Sequence, residues 1–350
     1  MKTTLCTLYN SLYLDKGLVL YDSLKECAKD FELYVLCMDE KCYEVLSDID
    51  QDRLKPIHLY EVENEKMLKA KSNRSIAEYC WTCSSRLIQF IFETYKPTCC
   101  TYIDADMYFY KDPQILVKEM QDSGKSVMMV PHRFSERNEA EAKIVGTYCV
   151  EFNTFLNDEA GNLVLTYWHN KCLECCSNLG DGVHWGDQKY MDEWPKLFPD
   201  NVHVCKNPGA GIAPWNIDRY RDYNKSDKTI VYNDKRETLP VVFFHFQSLI
   251  YKTRYLIYTG IPSCLEEIDY KSVDALYCDY LYKIDKKKLM LKDRYNLSIY
   301  IKKHPSTSEK TYKKILYIIP KIYNKIVGMF KRPTYSYSVD IRDCSIGNSE

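Results

Sequence analysis

The sequence predicts an α/β protein: a mixed, mostly parallel sheet flanked by helices and followed by a basic C-terminal appendage. Three observations carry that reading. Short apolar runs alternate with amphipathic stretches through the N-terminal third, the pattern that builds a parallel sheet with helices on both faces. One run, Cys99–Asp104, ends in paired carboxylates, Asp104 and Asp106, and ligands of open α/β sheets bind beyond the carboxyl ends of strands. The charge is also split. Residues Lys283–Arg332 carry 15 Lys and Arg against three acids, a net of +12, so the remainder of this −1 chain carries −13.

The elements follow in order. Thr3–Thr7 reads as a first strand, and Lys16–Lys29 has Leu18, Leu20, Tyr21, Leu24 and Cys27 at helical spacing. Phe31–Met38 is a strongly apolar strand, Glu40–Ile49 a second helix and Ile57–Leu59 a third strand. Arg74–Tyr95 is a long helix whose apolar positions include Ile76, Tyr79, Leu87 and Ile91. After the acids come a short helix (Pro113–Met120), a strand (Ser126–Val130), another strand (Val150–Phe155) and a helix (Leu163–Asn178). A loop rich in Gly, Asp and aromatic residues precedes Val241–Phe246, the expected end of the sheet. The expected organisation is a ligand-binding domain over 1–250, a Tyr- and Ile-rich basic appendage over 251–332 and a loose tail over 333–350.

At 350 residues, 45% hydrophobic and 28% charged, the composition is that of a globular protein with a large core. The aromatic content comes mainly from 31 tyrosines, most of them expected in packing and some available for stacking on bases or sugars. The N-terminus lacks a basic region followed by a long apolar core, and no run approaches the ~18 apolar residues of a membrane span. The chain is therefore expected in the cytoplasm, with its sixteen cysteines as thiols. Cys80-Trp-Thr-Cys83 and Cys172-Leu-Glu-Cys175 invite a four-thiolate zinc site. Their separation far exceeds the ~15–20 residues of a compact zinc ribbon, and packing as small hydrophobes is the competing reading.

Asp104 and Asp106 are separated by Ala105 alone. Residues i and i+2 of an extended chain point to one side, so both carboxylates can converge on a hard divalent cation. The alternative is a solvated strand end before the turn Lys111-Asp112-Pro113. Three further features bear on the choice. In Trp185-Gly-Asp-Gln-Lys-Tyr190, Asp187 and Gln188 either cap a helix or line a pocket for a polyhydroxyl ligand. Asn207-Pro-Gly-Ala-Gly-Ile-Ala-Pro-Trp-Asn216 fixes a tight turn in which Gly211 permits close backbone approach and Trp215 and Asn216 face a ligand or the interior. His245, late in Val241–Leu249, is either a core residue or a ligand reaching the paired acids.

Taken in order, Asp104-Ala-Asp106, Gly186-Asp-Gln188, Gly209-Ala-Gly-Ile-Ala-Pro-Trp-Asn216 and His245-Phe resemble a bacterial glycosyltransferase of the GT-A (Rossmann-like) fold. The nucleotide-diphospho-sugar transferases close to glycosyltransferase family 8 are the nearest pattern, over residues 3–250. The resemblance implies that Asp104, Asp106 and His245 hold Mn²⁺ (or Mg²⁺) against the diphosphate of a nucleotide-sugar donor, a UDP-sugar. It implies Asp187 and Gln188 beside the reacting sugar with retention of configuration, and Thr7, Tyr9 and Asn10 where the base and ribose are received. His132 and Arg133, at a strand end, would face donor sugar or acceptor. The family's His-x-x-Gly-x-x-Lys-Pro-Trp is replaced here by His245-Phe-Gln-Ser-Leu249, so its lysine is missing. Lys71 and Arg74, before the long helix, are the candidate replacements, with a solvated loop as the alternative.

The implied acceptor is a glycan or glycolipid of lipopolysaccharide or capsule type, and nucleic acid is not an expected partner. Leu316–Ile326 mixes apolar and basic residues around Pro320 and either lies on an anionic membrane face or forms a solvated packing helix. The first alternative places the protein on the inner face of the cell membrane. A sugar-nucleotide nucleotidyltransferase is the rival enzyme, but the Gly-rich cationic loop that such a protein carries after its first strand is absent from Thr7–Tyr13.

Overall fold

The computed structural model describes residues 2–49, 52–177, 183–251, 256–263, 265–299 and 336–341. They fall into two compact units, Met1–Gln247 with Ile268–Ile299, and Ser248–Glu267 with Tyr300–Glu350.

The first unit begins with β1 (Thr3–Tyr9), α1 (Leu14–Cys27), β2 (Phe31–Cys37), α2 (Glu40–Asp48) and β3 (Leu54–His58). Two short helices, α3 (Leu59–Val62) and α4 (Glu65–Lys71), lead to α5 (Ile76–Tyr95) and β4 (Cys99–Ile103). Then come β5 (Met107–Phe109), α6 (Gln114–Asp122), β6 (Val127–Pro131), α7 (Ala142–Val145), β7 (Tyr148–Leu156) and α8 (Glu159–Glu174). The chain continues through α9 (Trp194–Leu197), β8 (Val202–Val204), a meander β9–β11 (Tyr220–Asn224, Thr229–Tyr232, Glu237–Pro240) and β12 (Phe243–His245). Seven strands form one sheet in the order β3-β2-β1-β4-β7-β6-β8. Pairs β1–β2, β1–β4, β2–β3 and β6–β8 are parallel, and β7 alone runs against its neighbours β4 and β6.

Strand alternation sends successive side chains to opposite faces, and the two faces have separate cores. Leu5, Leu33 and Val35 pack with Leu18 and Leu24 of α1 and Leu116 of α6. Cys6, Tyr34 and Leu36 pack with Leu87 and Ile91 of α5 and Trp168 of α8. Helix α5 starts at a reciprocal cap, in which Ser75 accepts from the Glu78 amide and Glu78 reaches back to the Ser75 amide. It stops where Lys96 turns left-handed at φ 54°.

Two boundaries differ from the sequence reading. Val241–Phe246 does not finish the main sheet: β8 is its last strand, and β12 pairs with β5 in a separate two-stranded ribbon. Strands of three residues carry too few alternations to be read from sequence. The basic appendage is also divided. Its 26-residue helix α10 (Tyr270–Tyr295) belongs to the first unit and packs along α1. Tyr280 stacks on Phe246 with ring centroids 3.8 Å apart. Its lysines meet acids of α1: Lys283–Glu26 at 2.6 Å, Lys287–Asp22 at 2.5 Å and buried Lys288–Asp15 at 3.7 Å. Much of the positive charge in this helix thus has an internal partner.

In the second unit, β14 (Leu256–Pro262) pairs antiparallel with β13 (Ile250–Tyr251) and β15 (Ser336–Asp340). The tail expected to be loose therefore contributes a strand, because backbone pairing needs no apolar periodicity. Leu316–Ile326 and Gly180–Gly182 lie outside the described residues. Among the described residues no helix is long and apolar enough to cross a membrane. Thirteen described cysteines are free thiols, but Cys278 is disulfide-bonded, contrary to the expectation of thiols throughout. Such a pairing depends on spatial approach that spacing does not reveal.

Candidate active site

Strand β4 is buried between β1 and β7, and its carboxyl end delivers the paired acids. The Asp104 amide donates to the Glu151 carbonyl of β7 at 3.1 Å, which fixes the turn. Two residues later the chain re-enters extended structure as β5. Because β12 pairs antiparallel with β5, His245 stands opposite Met107, and the Phe246 amide donates to the Asp106 carbonyl at 2.8 Å. Strand register therefore carries a residue 139 positions away to the acids.

The side chains converge. His245 Nε2 lies 3.1 Å from Asp106 Oδ1 and 3.7 Å from Asp104 Oδ2, while Nδ1 donates to Glu151 Oε2 at 2.7 Å. Burial alone would lower the His245 pKa, but the charge and hydrogen bond of Asp106 raise it well above the ordinary imidazole value. For Asp106, burial is outweighed by His245 and Lys16, which hold the carboxyl at about 2. Burial pushes Asp104 up to about 6, with His245 opposing and the charges of Asp106 and Glu151 adding. His245 Nε2 thus faces both carboxylates, and an imidazole with carboxylate oxygens matches the donor chemistry of a divalent cation such as Mn²⁺. Among the described residues, the group of three whose ligand atoms all lie within 4.8 Å of one another is His245 with Glu151 and Cys149. The residues present fit the implied metal.

Asp187 is buried, and its Oδ2 has no hydrogen-bond partner. Burial pushes its pKa up to about 7, the Ser84 hydroxyl opposing and the Asp104 charge adding. Trp168 Nε1 donates to the Asp187 carbonyl at 2.8 Å and holds the backbone. The Gly186-Asp-Gln188 segment does not open an α-helix as expected. Gly186 turns at φ 55° against the Trp81 ring and a 3₁₀ turn, Lys189–Glu193, follows without a side-chain cap. Gln188 uses its amide to donate to Val145 O at 2.7 Å.

The Asn207–Asn216 turn is built against the same site. A side chain at Gly211, where φ is 78°, would put its Cβ 2.7 Å from Glu151 Oε1. Asn216 is fully buried and braces the turn, accepting from the Ala213 amide and donating to the carbonyls of His132 and Gly211. Trp215 donates from Nε1 to His132 O at 2.8 Å and sets its ring edge-on to His245 with centroids 5.3 Å apart. Its ring wall reaches the metal-ligand candidate, whereas Asn216 is engaged in holding backbone. Arg133 donates to Ala210, Cys205 and Asn207 carbonyls and is likewise a strut of this turn. His132 is buried against Phe134.

At the N-terminal strand end, Thr7 is buried with its hydroxyl unpartnered. Tyr9 is buried against Gly17, where a Cβ would come within 2.3 Å of its ring. Asn10 accepts from the Leu12 amide and caps the 3₁₀ turn Ser11–Tyr13. The exposed aromatic here is Tyr13, and Lys16 Nζ lies 3.9 Å above its ring. Lys16 is buried; burial lowers its pKa, but Asp106 and Tyr13 outweigh it and raise the value. Lys71 and Arg74 are engaged elsewhere, Lys71 with Glu63 at 2.7 Å and Arg74 with Thr82 and the Leu173 carbonyl. The structure thus draws Asp104, Asp106 and His245 together and leaves the Lys71–Arg74 loop with other partners. Glu151 and Lys16 were not singled out in the sequence. An acid inside the apolar run Val150-Glu-Phe152 is the signal for the first; Lys16 is masked by its helical setting.

The C-x-x-C pairs lie on α5 and at the end of α8, with Cys83 and Cys172 fully buried. Among the described residues neither pair belongs to a cluster that could hold a metal.

No family model matches the chain. Among solved structures it is similar to mouse xyloside xylosyltransferase 1 (15% identity, 71% of this chain and 98% of that one, TM-score 0.46). It is also similar to the galactosyltransferase LgtC bound to donor and acceptor sugar analogs (13% identity, 70% and 87% of the chains, TM-score 0.47). Two uncharacterized proteins of Bacillus subtilis (strain 168) match at higher identity. YfnF is 31% identical over 252 residues (70% of this chain, 81% of YfnF), and YfnD is 32% identical over 243 residues (69% of this chain, 76% of YfnD). The chain belongs to the family of these two proteins.

Proposed function

We propose that the protein is a metal-dependent glycosyltransferase that moves a sugar from a nucleotide-diphosphate donor, a UDP-sugar, to a glycan or glycolipid acceptor in surface polysaccharide synthesis. The observation that carries the reading is the convergence of Asp104, Asp106 and His245 at the carboxyl end of β4. The strand order with one reversed strand and the sequence motifs agree with the GT-A resemblance.

Cleavage of an anomeric carbon–diphosphate bond leaves a multiply charged group and a sugar with oxocarbenium character. Asp104, Asp106 and His245 would hold Mn²⁺ or Mg²⁺, which when bound supplies neutralisation of the diphosphate charge. Lys16, beside Asp106 and Tyr13, adds a fixed positive charge on the same side and takes the place of the family lysine absent after His245. Asp187 offers its unpartnered oxygen to the sugar, where a carboxylate stabilises positive charge at the anomeric carbon. Trp215 supplies an apolar wall beside His245. Retention of configuration and contact of the basic C-terminal region with an anionic membrane belong to the same proposal.

The test is Mn²⁺-dependent hydrolysis or transfer with a panel of UDP-sugars, selected by thermal shift in the presence of Mn²⁺. Asp104→Ala and Asp106→Ala are expected to lower turnover at least ~100-fold while circular dichroism stays native. Full activity in either variant would sink the site.

A further inference from the structure

Glu151 lies on β7 with none of its side chain exposed, in a group with Cys149 and His245 whose ligand atoms lie within 4.8 Å of one another. A buried carboxylate is retained only where it has a partner, and here that partner is His245 Nδ1, at 2.7 Å from Oε2. The second oxygen, Oε1, is buried with no hydrogen-bond partner. It is the atom that a Cβ at Gly211 would meet at 2.7 Å, with Arg133 NH1 at 3.4 Å. Backbone of the Asn207–Asn216 turn therefore closes on Glu151 from one side and His245 from the other. Imidazole has two nitrogens, and the hydrogen bond made by one decides what the other presents. With Nδ1 donating to Glu151, Nε2 is the atom turned to Asp104 and Asp106.

We propose that Glu151 is the positioning residue of this centre. By accepting the Nδ1 hydrogen it fixes the His245 ring so that Nε2 faces the paired acids, and the Glu151 carboxylate, with Val130 and the left-handed φ of 78°, leaves no room for a side chain at Gly211. The inference rests on the metal-site reading above and deepens it. Cys149, two residues earlier on the same face of β7, is the competing neighbour: its sulfur, the Glu151 carboxylate and the His245 ring lie within 4.8 Å of one another. The open oxygen of Glu151 and the match to Gly211 favour the carboxylate.

The experiment is a titration of the metal-free, full-length protein with Mn²⁺ alone, followed by water-proton relaxation. Glu151→Met keeps the volume and removes the acceptor; it is expected to weaken Mn²⁺ binding 10–100-fold, the usual effect of losing such a partner. Glu151→Gln, which keeps an acceptor oxygen, is expected to recover most of that loss, and Cys149→Ser to stay within about threefold of wild type. If Glu151→Met does not fold, Glu151→Asp draws the acceptor back by one methylene, with the same direction of change expected. A second readout is the downfield Nδ1–H proton resonance of His245, expected in the wild type and in Asp104→Asn but missing from the Met variant. Asp104→Asn and Asp106→Asn separate the two claims. If they leave Mn²⁺ affinity intact, the metal reading fails and this inference with it. If they abolish binding while Glu151→Met retains it, or if Cys149→Ser is the variant that loses it, the positioning role alone is overturned.

Discussion

The candidate site has two acidic corners, Asp104 with Asp106 and Asp187 with Gln188, and the protein treats them differently. Around Asp104 and Asp106, β5–β12 pairing, the Asp104 amide bond to the Glu151 carbonyl and a buried histidine hold the backbone and tie Asp106 to His245, with Asp104 3.7 Å from the same ring. At Asp187 and Gln188 the backbone is held by Trp168 and the amide by Val145, yet a carboxylate oxygen stays buried and unpartnered. The pKa values follow the neighbours of each carboxyl: about 2 for Asp106 beside His245 and Lys16, about 6 for Asp104, where burial wins, and about 7 for Asp187, which has no cationic neighbour. The first corner is organised before any ligand arrives. The second keeps an acceptor in reserve, and buried polar groups left open in this way are concentrated where function requires them.

The strongest way to break this contrast is Asp187→Asn. If the two corners have separate duties, turnover falls about 10²–10³-fold, the effect of removing one preorganised electrostatic group. Mn²⁺ affinity, measured in parallel, stays at the wild-type value. Equal losses in both measurements would show that the corners form one unit.

The same substitution sharpens the contrast through pH. A carboxyl whose folded pKa is about 7 binds its proton more readily in the fold than in the unfolded chain, where the value is near 3.9. Its ionisation therefore opposes folding. The penalty is complete above pH 7 and is relieved as pH falls from about 7 towards 4. Denaturant unfolding of the metal-free protein is expected to show wild type gaining stability relative to Asp187→Asn over that window. The slope is at most about 1.4 kcal/mol per pH unit. A flat difference would mean that the oxygen has a partner in solution.

How far the sequence announced each corner depends on the length of the contacts involved. The parallel half was legible because β1, β2 and β4 are apolar runs of five to seven residues and α1 and α5 are long amphipathic helices. Asp104 and Asp106 were visible from local spacing, and His245 from its place late in an apolar run. Glu151 was not, since its contact with His245 spans 94 residues and depends on β4–β7 and β5–β12 register together. Tyr9 and Lys16 show the converse error. A strand-end position suggested Tyr9 for ligand contact, but packing against Gly17 buries it, and the groups that feel the charge of Asp106 are Tyr13 and the buried Lys16 one turn later. Asp187 was read as capping a helix or lining a pocket, yet the positive φ that glycine adopts easily makes Gly186 a turn, and a 3₁₀ turn without a side-chain cap follows.

Gln188 is the weakest member of the comparison and so the finest test of it. Its amide donates to Val145 O at 2.7 Å, tying the turn to the end of α7. Alanine removes one partly buried hydrogen bond, which lowers stability by about 1 kcal/mol. If the residue acts only through that tie, kcat falls less than about tenfold, because the position of neighbouring Asp187 shifts but no group touching the sugar is lost. A Gln188→Glu variant places an acceptor beside the Val145 carbonyl and is expected to be worse than alanine in thermal melts. Were Gln188→Ala to match Asp187→Asn in turnover while its melting temperature stayed at wild type, the amide would have to leave Val145 and reach the sugar in the working enzyme. The second corner would then be the one that rearranges on binding, and the contrast with the locked acids of β4 would widen.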